Sequence, residues 1–188
     1  LFAAAFCLFF SSFAFAQADE INIVPKPRSV TRGVGGFALT KKTKILAISD
    51  TSRKMAAVFN ELLQRNYGFK LPITNKPQAK NIIQMAILEP SGSTVGSLDG
   101  YSLKVTPDMI QVSGTDRAVF YGVQSLIQLI PIDFSNEAKV PAVEIQDHPR
   151  FNYRGMHLDV GRHFMPVEFV KKYIDLMSQY KFNNFHWH

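Results

Sequence analysis

Apolar residues recur at helical spacing in two segments of the first 130 residues. The first stripe predicts an amphipathic helix over residues 52–66, and its members are Met55, Val58, Phe59, Leu62 and Leu63. Ser49, Asp50 and Thr51 are N-cap candidates before this helix, and Gly68 is a stop signal after it. The second stripe predicts a helix over residues 116–130 that ends at Pro131, and its members are Val119, Val123, Leu126, Ile127 and Ile130.

Alternating and β-rich runs lie between and beside these helices. Residues 44–48 and 82–88 are predicted strands, and residues 101–105 and 109–112 alternate apolar and polar positions around the turn pair Pro107-Asp108. The last two runs predict a hairpin with one solvated face. Residues 133–141 are predicted as a loop and residues 143–145 as a short extended segment. Strands with two helices on one face predict an α+β domain with an antiparallel-type sheet.

A different order of elements begins near Pro149. The pattern predicts a strand over residues 153–160, a loop over 161–166, a helix over 167–180 and a strand over 182–187. This is a βαβ unit with two parallel strands, and both strands are apolar enough to be buried between layers. Because no Gly-rich phosphate loop follows the first strand, we expect the start of a (β/α)8 barrel rather than a nucleotide-binding sheet.

The predicted domain organisation has three parts. Residues 1–16 hold six of the 16 Phe and no charged residue, and they end in Ala14-Phe15-Ala16, so we expect a cleaved signal peptide, N-terminally incomplete. Residues 17–149 form the α+β domain. Residues 150–188 form the start of a barrel that normally needs about 250 residues, so we expect it to be truncated after its second strand.

Composition and charge narrow the class of protein. The single Cys7 lies in the predicted signal peptide, so the mature chain holds no disulfide; export without disulfides is typical of a bacterial periplasmic or secreted protein. The net charge of +6 arises entirely in the first half, where the basic residues are scattered instead of interleaved with aromatic ones. We therefore predict a solvated basic surface and no nucleic-acid partner. The apolar N-terminal run is also short for a stable membrane span.

Candidate chemistry collects at the two predicted strand ends near the C-terminus. All five His lie within the last 41 residues, together with the only Trp, Trp187. Asp159 ends the first strand, with His163 in the loop after it, and His186 and His188 end the second. Reacting groups in β/α barrels lie at such strand ends. A hydrogen bond between Asp159 and one of the two histidines would equally satisfy buried polar groups, so both interpretations stay open.

Arg162 lies just beyond the first strand end. Its guanidinium offers five fixed donors, which suit vicinal sugar hydroxyls or a carboxylate. A salt bridge to Asp159 or Glu168 is the alternative interpretation.

Three segments of this chain resemble parts of a known family. Residues 148–166, which read HPRFNYRGMHLDVGRHFMP, and residues 181–188, which read KFNNFHWH, resemble the start of the catalytic barrel in family 20 glycoside hydrolases, the β-N-acetylhexosaminidases. Residues 116–129 resemble the last helix of the family's N-terminal α+β domain. The resemblance implies an exo-acting enzyme that removes terminal β-linked N-acetylhexosamine from oligosaccharides or glycoconjugates.

The resemblance also implies roles for individual residues. Arg162 matches the arginine that holds ring hydroxyls of the terminal sugar, and the positions expected to support the site are Asp159, His163, His186 and His188. Arg154 matches a position taken as structural. The family's mechanism is retaining, uses the substrate's own acetamido oxygen as nucleophile and needs no cofactor. The catalytic Asp-Glu pair lies beyond His188, so we expect residues 1–188 alone to be inactive.

Two alternatives remain open at the level of sequence. One is a metal-dependent barrel hydrolase that uses His186 and His188 as ligands, since His-x-His at a strand end is a plausible zinc site. The other is a non-catalytic carbohydrate-binding protein. The sequence does not indicate an oligomeric state.

Overall fold

The structure is a computed structural model that describes residues 21–89, 97–134 and 136–188. The predicted signal peptide, residues 1–16, lies outside the described residues. The described elements, in chain order, are β1 (Ser29–Thr40), β2 (Lys44–Leu46), α1 (Asp50–Tyr67), β3 (Ile73–Thr74), β4 (Ile82–Ile87), β5 (Tyr101–Val105), β6 (Met109–Gly114), α2 (Asp116–Leu129), β7 (Glu137–Asp147), β8 (Gly155–Leu158), α3 (Val167–Gln179) and β9 (Asn184–Trp187).

The first seven strands form one mixed sheet in the order β1-β7-β5-β6-β4-β2-β3. The β1, β7, β5 and β6 strands pair antiparallel, whereas β6, β4, β2 and β3 pair parallel. The predicted α+β class and the β5-β6 hairpin are therefore confirmed, but the predicted antiparallel arrangement describes only half of the sheet. The parallel half arises because α1 returns the chain beside β2, which a tight hairpin turn cannot do.

Both predicted helices of this domain form, and local caps explain their ends. Ser49 begins α1 with a reciprocal capping box, in which its Oγ accepts from Ser52 N at 3.1 Å and its N–H donates to Ser52 Oγ at 2.9 Å. Gly68 ends α1 in the left-handed conformation with φ of 74°. Thr115 caps α2 through a bond from Ala118 N.

The two helices pack side by side on one face of the sheet and enclose the core. Their apolar stripes meet the inward positions of the strands, and fully buried members include Phe59, Leu63, Val123, Leu126, Leu103, Val112 and Ile145. Residues on the opposite face of β5 and β6 are only partly buried or exposed. The alternation in the sequence thus gave the correct inward face of the hairpin.

Three strands differ from the sequence prediction, and one of them, the two-residue β3, was not predicted. The β1 strand carries three glycines and was not predicted, and β7 extends through residues 137–141, which were predicted as a loop. The β1-β7 register shifts between Arg32 and Gly36, and Pro141 lies opposite Gly36. A bulge tolerates a residue that cannot donate a ladder hydrogen bond, so Pro141 is accommodated inside a paired strand.

The C-terminal unit forms as the predicted βαβ arrangement, with β8 and β9 parallel. Both strands are shorter than predicted, and their residues are partly buried or exposed, so the predicted burial between two layers is wrong for the residues that the structure describes. The reason is that α3 alone covers the pair, through contacts such as Tyr173 against Phe185 with ring centroids 5.6 Å apart. No helix in the described ranges is long and apolar enough to cross a membrane.

Candidate active site

The candidate site is at the C-terminal ends of β8 and β9. The parallel register places His157 beside His186 and Leu158 beside Trp187, and the ladder continues past both strands. His188 N donates to Leu158 O at 3.0 Å, and Val160 N donates to His188 O at 2.9 Å. These backbone bonds bring the residues after both strands to the same level of the unit.

Asp159 is the centre of this arrangement. Its Oδ1 accepts backbone N–H bonds from Gly161 at 2.9 Å and from Arg162 at 3.1 Å, and its Oδ2 pairs with Nε of Arg162. Nδ1 of His188 lies 3.5 Å from Oδ1. The backbone N–H of Arg162, its guanidinium, and the His188 and Gly161 contacts all favour the carboxylate and lower the pKa of Asp159 to about 2. Asp159 is therefore ionised at neutral pH.

Arg162 forms the salt bridge to Asp159 that was the alternative interpretation of this residue. Its Nε is bound to Asp159, as the salt-bridge alternative predicted, and this contact fixes the orientation of the guanidinium. Neither Nη atom donates to another described residue, and the side chain is 79% exposed. Both Nη nitrogens are therefore without a hydrogen-bond partner among the described residues.

Three histidine rings cluster beside Asp159. The centroids of His157 and His186 lie 4.7 Å apart, and those of His186 and His188 lie 6.4 Å apart. The His157 ring, on β8, thus lies beside the predicted pair His186 and His188. His163 is exposed in the loop and forms no hydrogen bond, ion pair or ring contact with another described residue. The structure therefore brings together Asp159, Arg162, His186 and His188 but leaves His163 apart.

The histidine cluster does not have the arrangement of a metal centre. Within the described ranges, no group of three or more His, Cys, Asp or Glu side chains is placed to hold a metal ion. The metal-dependent alternative therefore gains no support from the geometry.

A second polar cluster, which the sequence analysis missed, lies at the opposite ends of the two strands. Lys181, three residues before β9, is buried against Asp147 and Tyr101 of the sheet. Arg154, directly before β8, pairs with Asp99. A lysine between two aromatic residues at a strand start was the only signal of this contact in the sequence.

Comparison with known proteins gives the chain its family. The pattern described as glycosyl hydrolase family 20, domain 2, matches residues 20–148, and that of the catalytic domain of the same family matches residues 151–188. The chain belongs to glycosyl hydrolase family 20. The resemblance stated from the barrel and helix motifs is therefore confirmed, as is the combination of an α+β domain with the start of a catalytic barrel.

Individual relatives show the same similarity along nearly the whole chain. The chain is 35% identical to a β-hexosaminidase of Porphyromonas gingivalis over 178 residues, covering 89% of this chain and 22% of the relative. It is 34% identical to a β-hexosaminidase of Vibrio furnissii, covering 92% of this chain and 27% of the relative. The chain thus spans about a quarter of the length of the curated relatives it matches.

Solved structures of family 20 enzymes share the fold. A Vibrio harveyi exo-β-N-acetylglucosaminidase in complex with N-acetylglucosamine superposes with a TM-score of 0.77 at 31% identity, over 88% of this chain and 25% of that one. The β-N-acetylhexosaminidase of Streptomyces coelicolor superposes with a TM-score of 0.78 at 29% identity, over 88% of this chain and 34% of that one.

Proposed function

We propose that the complete protein carrying this chain is an exo-acting glycoside hydrolase that removes terminal, non-reducing, β-linked N-acetylhexosamine from oligosaccharides or glycoconjugates. Membership of family 20 and the named relatives support the class of reaction. The main structural support for a sugar-binding role is Arg162. Its exposed guanidinium is oriented by Asp159, and both of its Nη atoms are free of partners among the described residues.

Arg162 has the geometry to bind a sugar ring. A guanidinium fixed through Nε presents its two Nη groups in one plane, and these can donate to hydroxyl oxygens on adjacent ring carbons. Because Asp159 stays ionised, the ion pair persists over the whole neutral range, and Arg162 does not need to reorganise when a sugar binds. Asp159 and His188 act here as positioning residues.

We further propose a retaining mechanism in which the acetamido oxygen of the substrate attacks the anomeric carbon. A carboxylic acid protonates the departing glycosidic oxygen, and a neighbouring carboxylate orients the acetamido group. Water then opens the cyclic intermediate, with the first carboxylate acting as base. The family resemblance places both carboxylates after His188, so residues 1–188 by themselves are proposed to be inactive.

The composition of residues 1–16 supports a proposal about location. An uncharged run ending in Ala14-Phe15-Ala16 has the features of a cleaved leader, so we propose that the protein is exported to the periplasm or secreted. Mass spectrometry of the mature N-terminus after expression in a bacterial host tests this, and a first residue at Gln17 is expected.

The activity test compares two chromogenic substrates that differ only at C2. The complete protein should hydrolyse 4-nitrophenyl N-acetyl-β-glucosaminide at least about 100-fold faster than 4-nitrophenyl β-glucoside, because the glucoside has no acetamido nucleophile. A trifluoroacetamido substrate should react slowly, since fluorine withdraws electrons from the attacking oxygen. Proton NMR should show the β-anomer of the free sugar as the first product.

Several outcomes contradict the proposal. Equal rates on the two substrates would exclude acetamido participation, and initial release of the α-anomer would exclude a retaining mechanism. Absence of hydrolysis together with tight N-acetylglucosamine binding would favour the non-catalytic alternative.

A further inference from the structure

The α+β domain and the βαβ unit meet at one end of the large sheet. Tyr101 is the first residue of β5 and pairs in register with Asp147, the last residue of β7. Both side chains are buried at that end, and Ser125 of α2 lies beside them, with its Oγ 2.6 Å from Tyr101 OH. The sheet therefore presents a small polar site toward the start of the barrel.

Lys181 enters this polar site from the βαβ unit. Its Nζ donates to Asp147 Oδ2 at 3.1 Å and to Tyr101 OH at 2.9 Å, and it lies 4.8 Å from the centroid of the Tyr101 ring. Tyr101 OH also donates to Asp147 Oδ2 at 3.1 Å, while Arg28 N donates to Oδ1. The Lys181 side chain is only 8% exposed, so the Asp147 charge is what makes its burial tolerable.

Arg154 makes a second connection between the same two parts. Its Nη2 donates to Asp99 Oδ2 at 3.2 Å, and its guanidinium lies 5.2 Å from the centroid of the Tyr121 ring on α2. The Arg154 and Asp99 side chains are 16% and 12% exposed. A planar guanidinium that pairs with a carboxylate and stacks on an aromatic ring is held in one orientation.

The two connections are linked to each other inside the βαβ unit. Arg154 Nε donates to Lys181 O at 2.7 Å, and Arg154 O accepts from Asn183 N at 2.9 Å and Asn184 N at 3.2 Å. Arg154 directly precedes β8, and Lys181 lies three residues before β9. Both anchors consequently act on the N-terminal ends of the two strands, whose C-terminal ends carry Asp159 and His188.

We propose that Lys181 and Arg154 are positioning residues, which fix the N-terminal ends of β9 and β8 on the α+β domain and thereby set the contact between Asp159 and His188 at the other ends. Each strand has four residues, so the anchor and the candidate site are separated by one short extended segment. The kinetic part of this inference rests on the proposed hydrolase function, whereas its structural part does not.

The structural part is tested by hydrogen exchange in the complete protein, read by mass spectrometry on peptides that contain β8 and β9. Lys181→Met leaves Asp147 buried without its cation, so exchange in both strands should quicken by about tenfold or more. Lys171→Met is the matched control, because Lys171 pairs with Glu168 on the exposed side of α3 and should leave this exchange within about twofold.

A second substitution separates loss of the ion pair from loss of packing. Combining Lys181→Met with Asp147→Asn removes the unpaired charge and keeps an acceptor for Arg28 N but does not restore the anchor, so exchange in both strands should stay at least about fivefold faster than in wild type. If Lys181→Met does not fold, Arg154→Lys provides the test: it keeps the charge toward Asp99 but cannot reproduce the Nε bond to Lys181 O. Unchanged exchange in Arg154→Lys and Lys181→Met, or full recovery in the double variant, overturns the inference.

The kinetic part is tested by measuring KM and kcat separately for each variant, at a temperature where the variants remain folded. Movement of β8 displaces Arg162, so KM for the N-acetylglucosaminide should rise about tenfold while kcat changes less. A purely stabilising role would instead lower the concentration of active enzyme and leave KM unchanged. If the wild type lacks hydrolase activity, the proposed function fails, and the exchange experiment still decides whether the anchors act.

Discussion

Nδ1 of His188 lies 3.5 Å from Oδ1 of Asp159, across the C-terminal ends of two parallel strands. The two residues are 29 positions apart in the chain, and the ladder bonds from His188 N to Leu158 O and from Val160 N to His188 O bring them together. The same carboxylate binds Arg162, so one ionised group orients both a histidine and the proposed sugar-binding arginine.

This relationship predicts a pH dependence below neutrality. The pKa of Asp159 falls from 3.8 to about 2 in the folded protein, so the unfolded chain takes up the proton first as the pH decreases. The stability contributed by its contacts is complete above about pH 4 and is lost as the pH falls toward 2. We expect the Asp159 carboxyl carbon to titrate near pH 2 by NMR.

Asp159→Asn supplies the control for that titration. The variant should lose the part of the pH dependence of unfolding that lies between about pH 4 and 2, because the amide does not ionise there. A variant with the same acid denaturation profile as the wild type would show that Asp159 is not responsible.

Removing the guanidinium of Arg162 should weaken binding in the transition state. In the complete enzyme, Arg162→Ala is expected to lower kcat/KM by an amount equivalent to roughly 2 to 4 kcal/mol of lost transition-state stabilisation. This is the range expected for charge-assisted hydrogen bonds to a sugar that become buried when it binds. Arg53→Ala is the matched control, since Arg53 pairs with Asp50 in the exposed first turn of α1. Steady-state kinetics on the N-acetylglucosaminide measure both, and an unchanged kcat/KM in Arg162→Ala would falsify the binding role.

Asn60 is predicted to be important for the stability of the α+β domain. It is buried on α1, where Nδ2 donates to Leu71 O at 2.9 Å and Oδ1 accepts from Leu71 N at 2.8 Å. Asn60→Ala leaves both backbone groups of Leu71 without these partners, at a cost of about 2 to 4 kcal/mol. Asn66→Ala, at an exposed position of the same helix, should change the free energy of unfolding by less than about 0.5 kcal/mol in urea denaturation.

Replacing Gly122 by alanine should destabilise the protein, although replacing a glycine inside a helix by alanine usually stabilises it. A Cβ at this position of α2 would lie 2.4 Å from Cγ1 of Val112 and 3.1 Å from the Tyr101 ring. Overpacking should therefore make Gly122→Ala destabilising by about 1 to 3 kcal/mol, although alanine has the higher helix propensity. Thermal unfolding measures the change in stability. Ala57→Gly on the exposed face of α1 is the control, and it should lower the free energy of unfolding by about 1 kcal/mol, as helix propensity alone predicts.

The elements that sequence patterns located correctly are those whose signals are local. Ser49, Gly68 and Thr115 define helix ends within a few residues of chain, and the alternation in β5 and β6 assigns their inward faces. The β1 strand lacked such a signal, because its three glycines are tolerated only through pairing with β7 and the bulge opposite Pro141. Its existence depends on a partner strand about 100 residues or more further along the chain.

The sequence by itself determined the family, the two helices and the hairpin of the α+β domain, the βαβ order, and the polar residues that lie at its strand ends. Periodicity and caps act over a few residues, and the motifs around Asp159 and His186 are contiguous in the chain. Only the tertiary structure decided that Asp159 binds Arg162 and His188 together, that His163 stays apart, and that Lys181 is buried against Asp147. Those contacts join separate elements, and whether a charge can be buried depends on a partner that no local pattern specifies.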